Sequence, residues 1–200
     1  AIVQGIEANG AQYVGGAFDW FSGFTMLTGA ALVAGYALLG ATWVVMKTTG
    51  LLQRRAYGWS RVLLTAVIVF MAVVSIYVPF LDGNYAERWF GFPHALLLVP
   101  FPIAAIVVSY FLYWSVSRRR EYAPFLLSLA MFIVGYGGLA ASFWPHIIPP
   151  HLTIWNAASP PETQTFLIVG LAFLMPFILF YTAWSYWIFR GKVARDMGYH

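Results

Sequence analysis

Apolar residues gather along this chain into five long runs, at about 24–46, 62–81, 95–116, 125–143 and 165–189, each closed by charged or turn-forming residues. A run of roughly 20 residues, rising 1.5 Å per residue as a helix, covers a hydrocarbon core about 30 Å thick, so each is expected to be a transmembrane helix. The stretch from Ala1 to Phe18 is polar and rich in glycine and reads as a water-exposed loop, with Asp19 and Ser22 as candidate N-caps for the first span. The connection 48–61 carries Arg54, Arg55 and Arg61, and Pro79 with Asp82-Gly83-Asn84 closes the second run. Pro100 and Pro102 predict an irregular turn near the start of the third span, and Pro176 a bend in the fifth. Between the last two spans, Trp144-Pro145-His146 breaks the fourth run, and 152–162 reads as an interfacial loop or short surface helix. The expected fold is an all-α integral membrane protein of one domain, with five transmembrane helices, four in a bundle and one peripheral.

Within the spans, Gly29, Gly35 and Gly40 in the first and Gly135, Gly137 and Gly138 in the fourth are expected to let neighbouring helices approach closely. The last run ends in Tyr181-Thr182-Ala183-Trp184-Ser185-Tyr186-Trp187-Ile188-Phe189-Arg190-Gly191-Lys192, where aromatic residues give way to basic ones. Aromatic side chains favour the headgroup level and cations the water beyond it, so Trp184, Tyr186, Trp187, Arg190 and Lys192 read as a membrane anchor.

Composition sharpens this picture. With 61% hydrophobic and only 9% charged residues, the chain departs from the roughly one-quarter charged content of soluble domains. The net charge of +4 is a topology signal rather than a nucleic-acid footprint, because ten of the eleven Lys and Arg residues fall in three regions at run ends: 47–61, 118–120 and 190–195. Five spans place those regions on one side, which by the positive-inside rule is the cytoplasm, leaving the amino terminus outside. There is no cysteine, which excludes disulfides and thiolate metal sites within the chain. The start at Ala1, with neither initiator methionine nor the pattern of a signal peptide, is expected of the carboxy-terminal portion of a longer chain.

Candidate chemistry is sparse. No ionisable residue lies between the ends of any span, which argues against an ion path through these helices alone. The hydroxyls at Thr28, Tyr36, Thr42, Thr65, Ser75, Ser109, Ser128, Tyr136, Ser142 and Thr182 read as hydrogen-bond partners within and between helices. His146 and His151 are five apart across two prolines and fit no helical metal pair; His94, at the start of a proline-containing helix, is the best of a weak set of cofactor-ligand candidates. Nucleotide-binding, nucleophile-elbow and zinc-protease motifs do not occur, so neither catalytic nor metal residues are expected. Arg118-Arg119-Arg120 could attract anionic lipid or a phosphorylated partner but reads chiefly as the cytoplasmic flag.

Residue order adds more. Asp19-Trp20-Phe21-Ser22, then Gly35-Tyr36-Ala37-Leu38-Leu39-Gly40-Ala41-Thr42-Trp43 with Met46-Lys47-Thr48, Trp144-Pro145, Trp155-Asn156-Ala157-Ala158-Ser159 and the closing anchor together resemble subunit II of the cytochrome bd ubiquinol oxidases. Within that family the chain is similar to the shorter, cyanide-insensitive type. The resemblance implies a subunit of a quinol:oxygen oxidoreductase in the bacterial plasma membrane. Its haem b and haem d groups would be held by a haem-bearing subunit I, with quinol and oxygen as substrates and lipid around it; a place for quinone on this chain stays open. It also implies that the family's Trp-Asp-Gly-Asn motif belongs to a part preceding Ala1, and that Asn156 stands where many relatives carry an aspartate. The alternatives are half of a secondary transporter with proline-broken helices and a lipid-modifying enzyme, which would want an acid or histidine cluster at the interface. On the distribution of basic residues, a reporter fused after His200 is expected to be active only in the cytoplasm; an externally active fusion would invert the topology.

Overall fold

The computed structural model describes residues 8–9, 12–13, 16, 18–19, 21–78, 91, 94–148 and 152–192. Among them are five helices long and apolar enough to cross a membrane. Helix α1 (Gly23–Lys47) starts at a capping box: the Thr25 amide donates to Ser22 Oγ at 3.2 Å and the Ser22 amide to Thr25 Oγ1 at 2.9 Å. Asp19 does not cap this helix; its Oδ2 accepts from the Gly16 amide at 2.6 Å. Two residues later α2 (Gly50–Tyr77) begins, with Gly50 in the left-handed region at φ +71°. α2 therefore starts twelve residues before the expected 62, and 79–81 of the expected span lie outside the described residues. The polar stretch is amphipathic: Ala56, Tyr57 and Ser60 are buried in line with Leu64 and Val67, so Arg54, Arg55 and Arg61 ride on the outer face of a helix instead of a loop.

The third span is built from α3 (His94–Leu98) and α4 (Pro100–Ser117), which part at Val99. Pro100 and Pro102 have no N–H to give, so the regular ladder lapses where the sequence predicts it. α5 (Ala123–Phe143) follows within five residues, and α6 (Pro161–Ile188) starts at a proline in its first turn, four residues earlier than expected. Pro176 lies inside α6.

Two short strand pairs correct the loop expectations. Within the amino-terminal stretch, β1 (Ala8–Asn9) pairs antiparallel with β2 (Gln12–Tyr13). After α5, β3 (His146–Ile148) pairs antiparallel with β4 (Leu152–Thr153), and the Ile154 amide donates to the Pro145 carbonyl at 2.9 Å. The Trp144 and Trp155 rings meet edge to face at 6.4 Å. The segment expected to be a loop or surface helix thus opens with the second arm of a hairpin, Leu152–Thr153, and runs on to Pro160 as turns and irregular chain; the first arm contributes the β-branched Ile147 and Ile148.

The two antiparallel hairpins α1–α2 and α4–α5 pack into a four-helix bundle in which α1 touches α2 and α5, and α4 touches α2 and α5. α6 stands outside it and buries no residue. The core joins Leu38 and Val45 of α1, Ala56, Tyr57, Leu64 and Val67 of α2, Leu112 and Val116 of α4, and Met131 of α5. Most of these lie toward the end that carries the basic residues. Each bundle helix also buries one small hydroxyl completely: Thr42, Ser60, Ser115 and Ser128. All four return a bond to their own helix, and Thr42 Oγ1 lies 3.0 Å from Ser128 Oγ, a cross-link between α1 and α5. Such bonds contribute about 0.6 kcal/mol each in membranes.

Glycines seat aromatic rings. A Cβ on Gly35 would stand 2.9 Å from Phe132, and on Gly137 and Gly138 2.8 and 3.2 Å from Phe101. Gly29, Gly40 and Gly135 open onto free space within this chain. The paired substitution Gly137→Ala/Gly138→Ala is therefore expected to cost about 1–3 kcal/mol through overpacking and to lower the melting midpoint in detergent. Gly135→Ala is expected to leave that midpoint unchanged or raise it. Equal melting of wild type and the paired variant would dismiss the Phe101 notch as a packing determinant.

Candidate functional site

Three chain segments meet at the basic end of the bundle: the α1–α2 turn at Thr48-Thr49, the α4–α5 turn at 118–122, and the end of α6 at 189–192. The α4–α5 turn closes with two bonds, from the Arg120 amide to the Ser115 carbonyl at 2.9 Å and from the Arg119 amide to the Val116 carbonyl at 3.2 Å. This is a Schellman motif, which needs a left-handed residue at the position occupied by Arg119, whose φ is 50°. Glycine takes that conformation freely; an L-residue pays roughly 1 kcal/mol for it. The Tyr57 hydroxyl reaches across from α2 and donates to the Arg119 and Arg120 carbonyls, at 2.9 and 3.1 Å, satisfying oxygens of the turn that follows the helix end.

Glu121 follows directly. Its Oε1 pairs with Lys192 Nζ at 2.6 Å and accepts from Gln53 Nε2 at 3.4 Å, while the same Gln53 nitrogen donates to the Val45 carbonyl at 3.0 Å near the end of α1. Gln53 thus connects the last turn of α1 to the start of α5, and Lys192 adds α6. The hydrogen bonds from Lys192 and Gln53 hold the Glu121 carboxyl below its ordinary range. Lys47 completes the clasp from the other side, donating to the Phe189 carbonyl at the end of α6 at 2.7 Å while its ammonium lies 5.1 Å from the Trp43 ring centre. Trp43 stands edge-on to Phe125 of α5 at 5.0 Å and to Tyr186 of α6 at 5.9 Å.

The anchor residues divide between these contacts and the surroundings. Trp184 and Trp187 touch each other at 5.4 Å, and the Arg190 guanidinium lies 4.8 Å from the Trp187 ring centre; both tryptophans are exposed. Tyr186 meets Trp43, and Lys192 makes the ion pair with Glu121. Gln53, Tyr57 and Glu121 were not singled out from the sequence. The available signal was Glu121 itself, an acid placed directly after three arginines.

A haem would require axial ligands. His94 opens α3, but its side chain, together with His151 and His200, lies outside what the structure describes. His146 sits in the β3 hairpin, and the buried Met131 belongs to the apolar core. The described residues hold no cluster of three His, Cys, Asp or Glu side chains.

This geometry defines a multi-pass membrane protein whose polar end ties helices together, with an unpartnered helix beside the bundle. The sequence model of cytochrome bd terminal oxidase subunit II matches residues 1–189, and the chain belongs to that family. It is 24% identical to cytochrome bd-I ubiquinol oxidase subunit 2 of Escherichia coli (strain K12), over 98% of this chain and 60% of the relative. It is 24% identical to a probable cytochrome oxidase subunit 2 of Haemophilus influenzae, over 96% and 60%, and 20% identical to cytochrome bd ubiquinol oxidase subunit 2 of Bacillus subtilis, over 88% and 52%. The chain therefore spans about 60% of the length of the first of these relatives. The transporter reading finds no support in this family.

Because the folded carboxyl of Glu121 titrates below its ordinary value, its contribution to the clasp is complete above the ordinary carboxylate range and is lost as pH falls through the depressed value. The chain has no cysteine, so spin labels can be placed cleanly on Tyr122→Cys and Gly191→Cys. The distance between them is expected to lengthen or broaden in strong acid, and to do so already at neutral pH when Glu121→Gln is added. An unchanged distance in both cases would show that the ion pair does not hold α6.

Proposed function

We propose that this chain is the membrane subunit of a terminal quinol oxidase that does not itself ligate haem. In this reading it packs against a haem-bearing subunit, keeps the haems dry, and borders routes for oxygen, protons or quinone. The complex oxidises two quinols, releasing four electrons and four protons, and passes the electrons to oxygen, which takes up four protons to form two waters. The carrying observation is the family match along residues 1–189. It is supported by α6, an apolar helix of 28 residues that buries none of them and so is suited to neighbours outside this chain.

The same reading places the complex in the bacterial plasma membrane, with the basic end of the bundle and the clasp facing the cytoplasm and the β3–β4 hairpin outside. Haem b and haem d belong to the partner subunit. Seven arginines and two lysines among the described residues lie at the basic end, against one acid, Glu121, which supports that orientation.

The test is a reduced-minus-oxidised visible spectrum of the full-length tagged protein, purified in mild detergent with the subunits that accompany it. A co-purifying haem-bearing subunit and a long-wavelength d-type band are expected. Their joint absence from a folded, membrane-inserted preparation would reject the assignment.

A further inference from the structure

Arg54, Tyr57 and Arg61 fall at i, i+3 and i+7 of α2 and form one stripe along that helix. Arg54 and Arg61 stand exposed on either side of Tyr57, whose buried ring carries its hydroxyl to the carbonyls of Arg119 and Arg120, so the α4–α5 turn ends beside this part of α2. Arg54, Arg61, Arg118 and Arg119 are all exposed. Among the described residues no acid pairs with them, because Glu121 is engaged by Lys192. The Tyr57 hydroxyl thus sets the backbone of this turn, and with it Arg118 and Arg119, beside the part of α2 that carries Arg54 and Arg61, and this excess of positive charge over the single acid Glu121 favours an anion there.

Arg119 gives a second, independent indication. It occupies the left-handed position of the Schellman turn, where glycine would close the same two backbone bonds without strain. The turn gains nothing from an arginine there, so a use for its side chain accounts for its presence. The occupant's other half is visible farther along α2. The stripe that begins with Arg54 and Arg61 continues through Thr65 to Ile68 and Ala72, all exposed, passing from basic to apolar as it enters the membrane span.

We propose that Arg54, Arg61, Arg118 and Arg119 bind the phosphate of an anionic phospholipid whose acyl chains lie along the Ile68 and Ala72 stripe of α2. Guanidinium groups match a phosphodiester with paired N–H donors, and juxtamembrane basic clusters attract anionic headgroups. A free phosphate would use the same cations but would leave the apolar stripe bare, which decides for the lipid.

The test uses the full-length protein with the subunits that accompany it, washed in detergent containing phosphatidylcholine and then offered phosphatidylglycerol, with retained lipid measured by mass spectrometry. Wild type is expected to retain phosphatidylglycerol selectively, and less of it as salt is raised. Arg119→Gly, and Arg54→Gln with Arg61→Gln, are expected to lower that retention about fivefold for each guanidinium removed, leaving phosphatidylcholine unchanged. Arg119→Gly is expected to match or exceed wild type in melting midpoint, because it relieves the left-handed strain; this separates lost lipid from lost structure. Equal retention of the two lipids by wild type, or undiminished phosphatidylglycerol in the variants, would overturn the proposal. So would complete displacement of the lipid by inorganic phosphate, which would assign the cluster to a soluble anion, or an Arg119→Gly protein that loses stability together with lipid.

Discussion

Helices in a bilayer have no hydrophobic reason to associate, since lipid tails are as apolar as leucine, so a bundle must be held by shape and by the few polar bonds available. This constraint explains where the chain packs and where it does not. Phe132 fits over Gly35, Phe101 fits over Gly137 and Gly138, and Thr42 meets Ser128 across the interior. Where such devices are missing, as along most of α6, side chains stay uncovered. The buried residues concentrate toward the end where the turns are short and polar bonds can form beside water.

That end works by giving one side chain two tasks. Gln53 Nε2 is shared between the Val45 carbonyl and Glu121, and Lys47 serves both the Phe189 carbonyl and the Trp43 ring. Helix termini leave carbonyls without partners, and here they are satisfied by side chains from neighbouring helices, so that ending a helix and joining it to the next are one event. The Tyr57 hydroxyl holds the α4–α5 turn itself, by the backbone carbonyls of Arg119 and Arg120.

Much of this architecture was legible in the order of residues. Apolar length located all five spans, the prolines at 100 and 102 located the interruption at Val99, and the tyrosine and tryptophan cluster located the end of α6. The start of α2 was not legible, because three arginines between Gly50 and Arg61 look like loop to a hydropathy pattern while their buried neighbours follow the helical stripe. The β3–β4 hairpin was hidden by prolines and by its shortness, and the clasp by its nature: Gln53 and Glu121 are 68 positions apart and meet only through tertiary packing. The family itself was carried by residue order at Asp19–Ser22, Gly35–Trp43 and the anchor, which physical patterning alone does not distinguish from other membrane helices.

A rod fastened at one end acts as a lever. α6 has 28 residues, so it is about 42 Å long at the usual helical rise. Its ties to the bundle sit at Tyr186, Phe189 and Lys192. Turning it by about 10° about those ties carries the far end sideways by about 7 Å, close to the spacing between packed helices. Small shifts at the Lys47, Glu121 and Lys192 contacts would thereby be magnified toward the far end of the helix.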